Sequence, residues 1–191
     1  MAFELIREEL DGIKVFKPWV FGDKRGFFFE SFQKAELQKF GITADFVQDN
    51  QSRSVKGTIR GMHLQYNKPQ GKLLRVTRGE AVFREIDVRP HSATFGQYFE
   101  QELSDENNYI MWVPPGFANG FSAESEICDV IYKCTEYWNA ASEVIINYST
   151  PEVGIRWNVP SPIVSAKDQA GISLSEWVSL YKKLSVGIPL F

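Results

Sequence analysis

Histidine and cysteine are scarce in this chain, with two of each in 191 residues. That scarcity excludes several chemistries. Structural and catalytic zinc sites draw three or four ligands from Cys, His, Asp and Glu. Here the position two after His63 is Gln65, and the other histidine, His91, sits in the polar turn Arg89-Pro-His-Ser92. No metal site is expected. Cys128 and Cys134 fit neither a metal spacing nor a disulfide framework, and read as small buried hydrophobes in a reducing compartment. An excess of one charge is also missing. The 21 Lys plus Arg against 24 Asp plus Glu leave a net charge of -3, which argues against a general nucleic-acid binder and leaves any anion site to locally placed cations. No apolar run approaches the roughly 20 residues that span a bilayer, and the N-terminus lacks a basic-then-apolar leader. A cytoplasmic protein with no nucleic-acid or membrane partner is expected.

What is present suits β-structure. Hydrophobic residues make up 43% and aromatics 14%, with 15 Phe, enough for a sizeable core and an aromatic-lined pocket. No linker or repeat interrupts the chain, so residues 1–191 are expected to form a single domain. Short β-rich runs lie at Lys72–Arg78, Ala81–Val88, Tyr98–Leu103, Tyr109–Val113 and Asp129–Lys133, bounded by Gly, Pro, Asn or Ser. Strands at that spacing predict an all-β sandwich or barrel. Helix is sparse. Lys34–Phe40 is one short candidate stopped by Gly41. A C-terminal helix over 173–186 is the other: Ser173 and Glu176 can form a capping box, and Leu174, Trp177, Val178, Tyr181 and Leu184 share one face.

If the chain has a histidine base, it is His63, in Arg60-Gly-Met-His63. Imidazole titrates near neutrality, and a carboxylate on its second nitrogen would set its tautomer. From spacing alone that carboxylate could be any of several acids. A lone histidine in a β-run is commonly a hydrogen-bonded core residue, but Arg60 and Lys72 nearby argue otherwise. A core histidine has no use for two cations, whereas a proton abstraction that creates an enolate does. Lys24 and Arg25 lie on a Gly-containing turn, and Phe46-Val-Gln-Asp-Asn50 adds amides beside aromatics, which suits a nucleoside diphosphate.

Taken together, Gln48-Asp49-Asn50, Arg60-Gly-Met-His63, Gln70-Gly-Lys72, Arg78-Gly-Glu80, Thr94-Phe-Gly96, Leu103 through Asn107, Val113-Pro-Pro-Gly-Phe-Ala118, Tyr132-Lys-Cys-Thr135 and Ser165-Ala-Lys-Asp168 resemble the dTDP-4-dehydrorhamnose 3,5-epimerase family. The resemblance runs from about residue 3 to 170. It implies a cupin-type jelly-roll β-sandwich with few short helices, a homodimer with N-terminal strands at the interface, and no metal or other cofactor. It also implies roles. His63 would be the base, oriented by Asp168, with Tyr132 the acid on the opposite face of the sugar and Lys72 and Arg60 stabilising the enolate. Arg25, Glu30, Gln48, Asp49, Asn50 and Lys167 would bind the nucleotide diphosphate, with Glu143 a further substrate contact. The substrate would be a dTDP- or CDP-linked 4-keto-6-deoxyhexose, inverted at C3, C5 or both.

The chain departs from the family pattern at two places. Asn119 stands where the family usually has histidine after Pro-Pro-Gly-Phe-Ala, and Phe83 where it usually has aspartate. The two are read as a linked pair at the sugar end of the pocket, which would suit a less hydroxylated sugar such as a CDP-4-keto-3,6-dideoxyhexose inverted at one centre. Gln51, where many members have histidine, lies by the nucleotide-side segment and bears on which nucleobase is preferred. A sugar-nucleotide 3,4-ketoisomerase and a cupin that only binds sugar nucleotides are the competing readings.

Overall fold

The computed structural model describes residues 2–185 and residue 191. The chain begins with β1 (Phe3–Glu9) and β2 (Ile13–Pro18), a small hairpin of β3 (Phe21–Asp23) and β4 (Gly26–Phe28), and helix α1 (Lys34–Gln38). There follow β5 (Gln48–Val55), β6 (Thr58–Gln65), β7 (Lys72–Arg78), β8 (Glu80–Asp87), β9 (Tyr98–Ser104), β10 (Ile110–Val113), β11 (Phe117–Ala123) and β12 (Ile127–Cys134). The short β13 (Glu143–Ile145) and β14 (Ile163–Val164), then α2 (Ala166–Gln169) and α3 (Leu174–Ser185), complete it. One sheet has the order β1-β2-β10-β7-β12-β5 and the other β13-β6-β11-β8-β9, with β14 parallel to β6. This is a jelly-roll sandwich.

Alternation along the strands builds the core between the sheets. Val15, Leu74, Val76, Met111 and Val130 of the first sheet meet Ala81, Phe83, Phe99, Leu103 and Phe121 of the second, all buried. At one end the inner face changes character. After Ala81 and Phe83, β8 presents Glu85; beyond Val76 and Leu74, β7 presents Lys72; and beyond Cys128 and Val130, β12 presents Tyr132. An apolar core thereby opens into a polar end, where the site lies.

The outer face of the second sheet is covered by α3. Its Leu174, Trp177 and Tyr181 are buried against Ile59, Ile86 and Val88, and the Trp177 indole donates to the Val88 carbonyl at 2.7 Å. The capping box forms as expected: Ser173 Oγ accepts from the Glu176 N–H at 3.2 Å, and Glu176 Oε2 accepts from the Ser173 N–H at 2.8 Å. Residue 186, the end of the expected helix, lies outside the described residues. Helix α1 ends two residues before the expected Phe40, because the Lys39, Phe40 and Gly41 N–H groups close three-residue turns onto Glu36, Leu37 and Gln38.

Close approach of two strands fixes the register beside the site. Gly61 of β6 has φ +130°, and a Cβ there would lie 2.6 Å from the Gly120 Cα of β11. No other residue type fits. The pairing slips between Asn119 and Phe121, leaving Asn119 opposite His63 on one side and opposite Glu85 on the other.

Candidate active site

A cavity of about 350 Å³ opens between the two sheets at their polar end. Gln48, Asn50, Lys72 and Tyr132 line it from the first sheet, His63 and Glu143 from the second, and Trp138 from the loop after β12. Pairing of β5 with β12 sets Asn50 beside Tyr132 and Gln48 beside Cys134, all on the cavity face. Trp138 is tied down by Gln48, whose Oε1 accepts from the Trp138 N–H at 2.9 Å.

His63 is paired with Asp168. Nε2 lies 2.7 Å from Asp168 Oδ1. A carboxylate on Nε2 makes it the N–H nitrogen and leaves Nδ1 the lone pair a base needs. Asp168 is delivered by α2, which β14 sets against β6; Ser165 caps that helix by accepting from the Asp168 N–H at 3.0 Å. Burial works to raise the Asp168 carboxyl. Hydrogen bonds from His63, the Gly61 N–H and Ser165 outweigh it and hold the group below the ordinary carboxylate value.

Tyr132 and Lys72 form the facing wall. Lys72 Nζ lies 5.9 Å from the Tyr132 ring centre and donates to Asn119 Oδ1 at 3.4 Å. Burial pushes the Tyr132 phenol up, so it keeps its proton at neutral pH and can act as a donor. Burial pushes the Lys72 ammonium down, opposed by Cys134, Glu85 and Glu143. The arrangement has a base with its orienting carboxylate, a neutral phenol and a cation around one cavity. It can move a proton off carbon, hold the oxyanion and return a proton.

The other expected site residues divide. Gln48, Asn50 and Glu143 line the cavity, and Lys167 pairs with Glu143 at its edge. Arg60 is exposed; it donates to Ser54 Oγ at 3.0 Å and the Arg53 carbonyl at 3.2 Å, and its charge favours the Tyr132 phenolate. Asp49 points to the opposite face of the sheet and pairs with Lys133 at 2.8 Å. It lines a second cavity of about 350 Å³ with Arg75 and Gln51. Arg25 is at the tip of the β3–β4 hairpin, bound to Asp23, and Glu30 bonds Gln33 beside a separate hollow. Neither joins the cavity.

Phe83 is a correction. It is fully buried in the core, its ring 5.1 Å from Phe121, its cross-strand partner. It does not line the cavity, and it is not paired with Asn119. The residue opposite Asn119 is Glu85, so the linked pair read from the sequence dissolves: residue 83 is one alternation too deep in the core. Glu85 was missed, although its parity with Ala81 and Phe83 in an alternating strand was a signal. Trp138 was missed too; its signal was an aromatic pair, Tyr137-Trp138, in a loop.

Among the described residues, no three His, Cys, Asp or Glu side chains gather where they could hold a metal ion.

Comparison with known proteins agrees over most of the chain. The family model for dTDP-4-dehydrorhamnose 3,5-epimerase matches residues 7–176. A protein of that name from Methanothermobacter thermautotrophicus is 44% identical over 170 residues, covering 87% of this chain and 92% of its own. One from Pseudomonas aeruginosa is 43% identical over 172 residues, covering 89% and 95%. Among solved structures, a 3,5-epimerase from Legionella pneumophila in complex with dTDP-4-keto-L-rhamnose superposes with a TM-score of 0.88 at 43% identity, covering 91% of this chain and 93% of its own.

Proposed function

The chain belongs to the dTDP-4-dehydrorhamnose 3,5-epimerase family, and on that premise we propose that it inverts C3 and C5 of a dTDP-linked 4-keto-6-deoxyhexose, with His63 as base and Tyr132 as acid. The observation that carries the assignment of roles is the His63–Asp168 pair facing the same cavity as Tyr132 and Lys72.

The mechanism follows from carbon acidity. A 4-keto group acidifies the C–H bonds at C3 and C5, because the electron pair left behind delocalises onto the keto oxygen. His63 Nδ1 takes the proton and the imidazole becomes a cation beside the Asp168 carboxylate. Lys72 stabilises the enolate oxygen. Tyr132 gives its phenolic proton to carbon from the other face and the configuration inverts; the His63 imidazolium then releases its proton to water and the phenolate takes one up from it, which resets both groups. Arg60 supports that transient phenolate electrostatically.

At the mouth, Gln48 and Asn50 offer amides to the nucleotide, and the half-exposed Trp138 indole offers a stacking face. Arg25 and Glu30 act on the nucleotide of a second copy. The hairpin that carries Arg25 exposes Phe21, Phe27 and Phe28, with Trp19 and Val20 next to it, and an apolar surface of that kind suits a homodimer interface.

A single-centre epimerase is the second reading, favoured by Asn119 in place of a family histidine. One experiment separates the two. In deuterium oxide, dTDP-4-keto-6-deoxyglucose should gain deuterium at both C3 and C5 by NMR; gain at one carbon alone overturns the 3,5-assignment. Loss of turnover with binding kept is expected in His63→Ala. In Tyr132→Phe, net inversion should fall by roughly 10²-fold or more while exchange with retained configuration persists. Binding by the unmodified protein with no exchange at either carbon would make it a sugar-nucleotide binder only.

A further inference from the structure

A buried acid beside the cavity is unused by this chemistry. Glu85 is 0% exposed. Its Oε1 accepts from Asn119 Nδ2 at 2.5 Å, and its Oε2 has no hydrogen-bond partner among the described residues. Asn119 turns its Oδ1 the other way, to Lys72 Nζ at 3.4 Å. Three side chains from β8, β11 and β7 thus form a line from the sealed interior to the cavity. The amide dipole is aligned along it, carbonyl toward the ammonium and NH₂ toward the carboxyl.

A buried carboxyl oxygen without a partner is destabilising, and a buried carboxyl that can share a charge with a buried ammonium offsets part of that cost. Burial drives the Glu85 carboxyl well above its ordinary value, with Asn119 and the Lys72 charge working against it. The groups facing Lys72 are Tyr132 and Cys134 from β12, Glu143 from β13, Asn119 from β11 and Glu85 from β8. Burial keeps the Cys134 thiol protonated, and Glu143 is already paired with Lys167. Among the described residues Glu85 is the carboxyl joined to Lys72 by a hydrogen-bonded path.

We infer that Glu85 is a positioning residue for the proposed reaction: acting through Asn119, it aims Lys72 Nζ at the enolate, and once ionised it supplies the countercharge that holds the ammonium's proton. The inference rests on the reading of the cavity given above. Glu85 touches neither substrate nor reacting atom in this scheme. Its effect passes through one amide.

The test compares Glu85→Gln, Asn119→Ala and the double variant with the unmodified protein, by NMR-detected deuterium exchange into dTDP-4-keto-6-deoxyglucose across pH. Gln keeps the shape and can still accept from Asn119, but carries no countercharge. In Asn119→Ala kcat should fall about tenfold or more with KM little changed, and in Glu85→Gln the fall should appear on the basic side, where the carboxyl of the unmodified protein is ionised. The basic limb of the kcat profile should move to lower pH, because an ammonium without its countercharge loses its proton sooner. The double variant should be no worse than the weaker single, since both cut one path. A folded Glu85→Gln with unchanged kcat and basic limb overturns the inference, as does additive loss in the double variant. If Glu85→Gln does not fold, Asn119→Ala decides by its basic limb alone. An unmodified protein that exchanges no deuterium overturns the functional reading and this inference with it; exchange that is indifferent to Glu85 overturns only the inference.

Discussion

His63 Nε2 lies 2.7 Å from Asp168 Oδ1, although the two residues are 105 positions apart in the chain. The pairing depends on a short parallel strand and a one-turn helix that carry the C-terminal part of the chain back to β6. Replacing Asp168 by Asn keeps the size of the side chain and can reverse the hydrogen bond, leaving the wrong ring nitrogen protonated. For Asp168→Asn, kcat is expected to fall roughly 10²- to 10⁴-fold with little change in nucleotide affinity. Steady-state kinetics with a dTDP-binding titration checks this; a loss confined to affinity would remove Asp168 from the orienting role.

Trp138 is 57% exposed at the cavity mouth. A base stacked on an indole is worth about 1–3 kcal/mol, so Trp138→Ala should raise KM about tenfold or more and leave kcat nearly unchanged. An unaltered KM would show that the nucleotide does not rest on this ring.

Phe83 is core, not pocket. Phe83→Asp would place a carboxylate among Leu103, Phe121 and Val130, and should cost about 3–5 kcal/mol in chemical denaturation. The change should confer no new substrate preference. A variant as stable as the parent with a shifted sugar preference would return residue 83 to the pocket.

Asp87 ties the β8 end to the following turn. It is fully buried and accepts from the Arg89 side chain and N–H, and from the Ser92 and Thr94 hydroxyls. Burial would raise its carboxyl, but these donors outweigh burial and hold it below its ordinary value. A depressed folded pKa gives stability that is complete above the unfolded value, about pH 4, and is lost as pH falls through the folded value. Asp168 adds to the same window. Urea melts should therefore be flat near neutrality and weaken below about pH 4. Asp87→Asn should lose about 1–3 kcal/mol at pH 7 and show a shallower acid dependence, the two curves converging at low pH.

Much of the fold was legible because its signals are local. The run Lys72–Arg78 matches β7 residue for residue, and β8, β9, β10 and β12 contain or nearly contain their expected segments. The Ser173–Glu176 box formed because its two hydrogen bonds span three residues. His63 was conspicuous through scarcity, one of two histidines and the one not in a turn. For the remainder, recognition depended on motifs spread over most of the chain, and there the family resemblance supplied Asp168 where residue spacing left several acids open.

The alternating strands, the capped final helix and the stock of proton-handling side chains can be read along the chain, because period-two patterning and capping act within a few residues. Which of those side chains meet is set by long-range packing. Register put Glu85 rather than Phe83 opposite Asn119 and set Asp49 on the far face of the strand that carries Gln48 and Asn50, and the β3–β4 hairpin holds Arg25 away from the cavity. A strand's parity is written in its sequence, but the depth at which an inner face turns from core to cavity depends on how two sheets stack. That depth separates a packed phenylalanine from a buried acid two residues away.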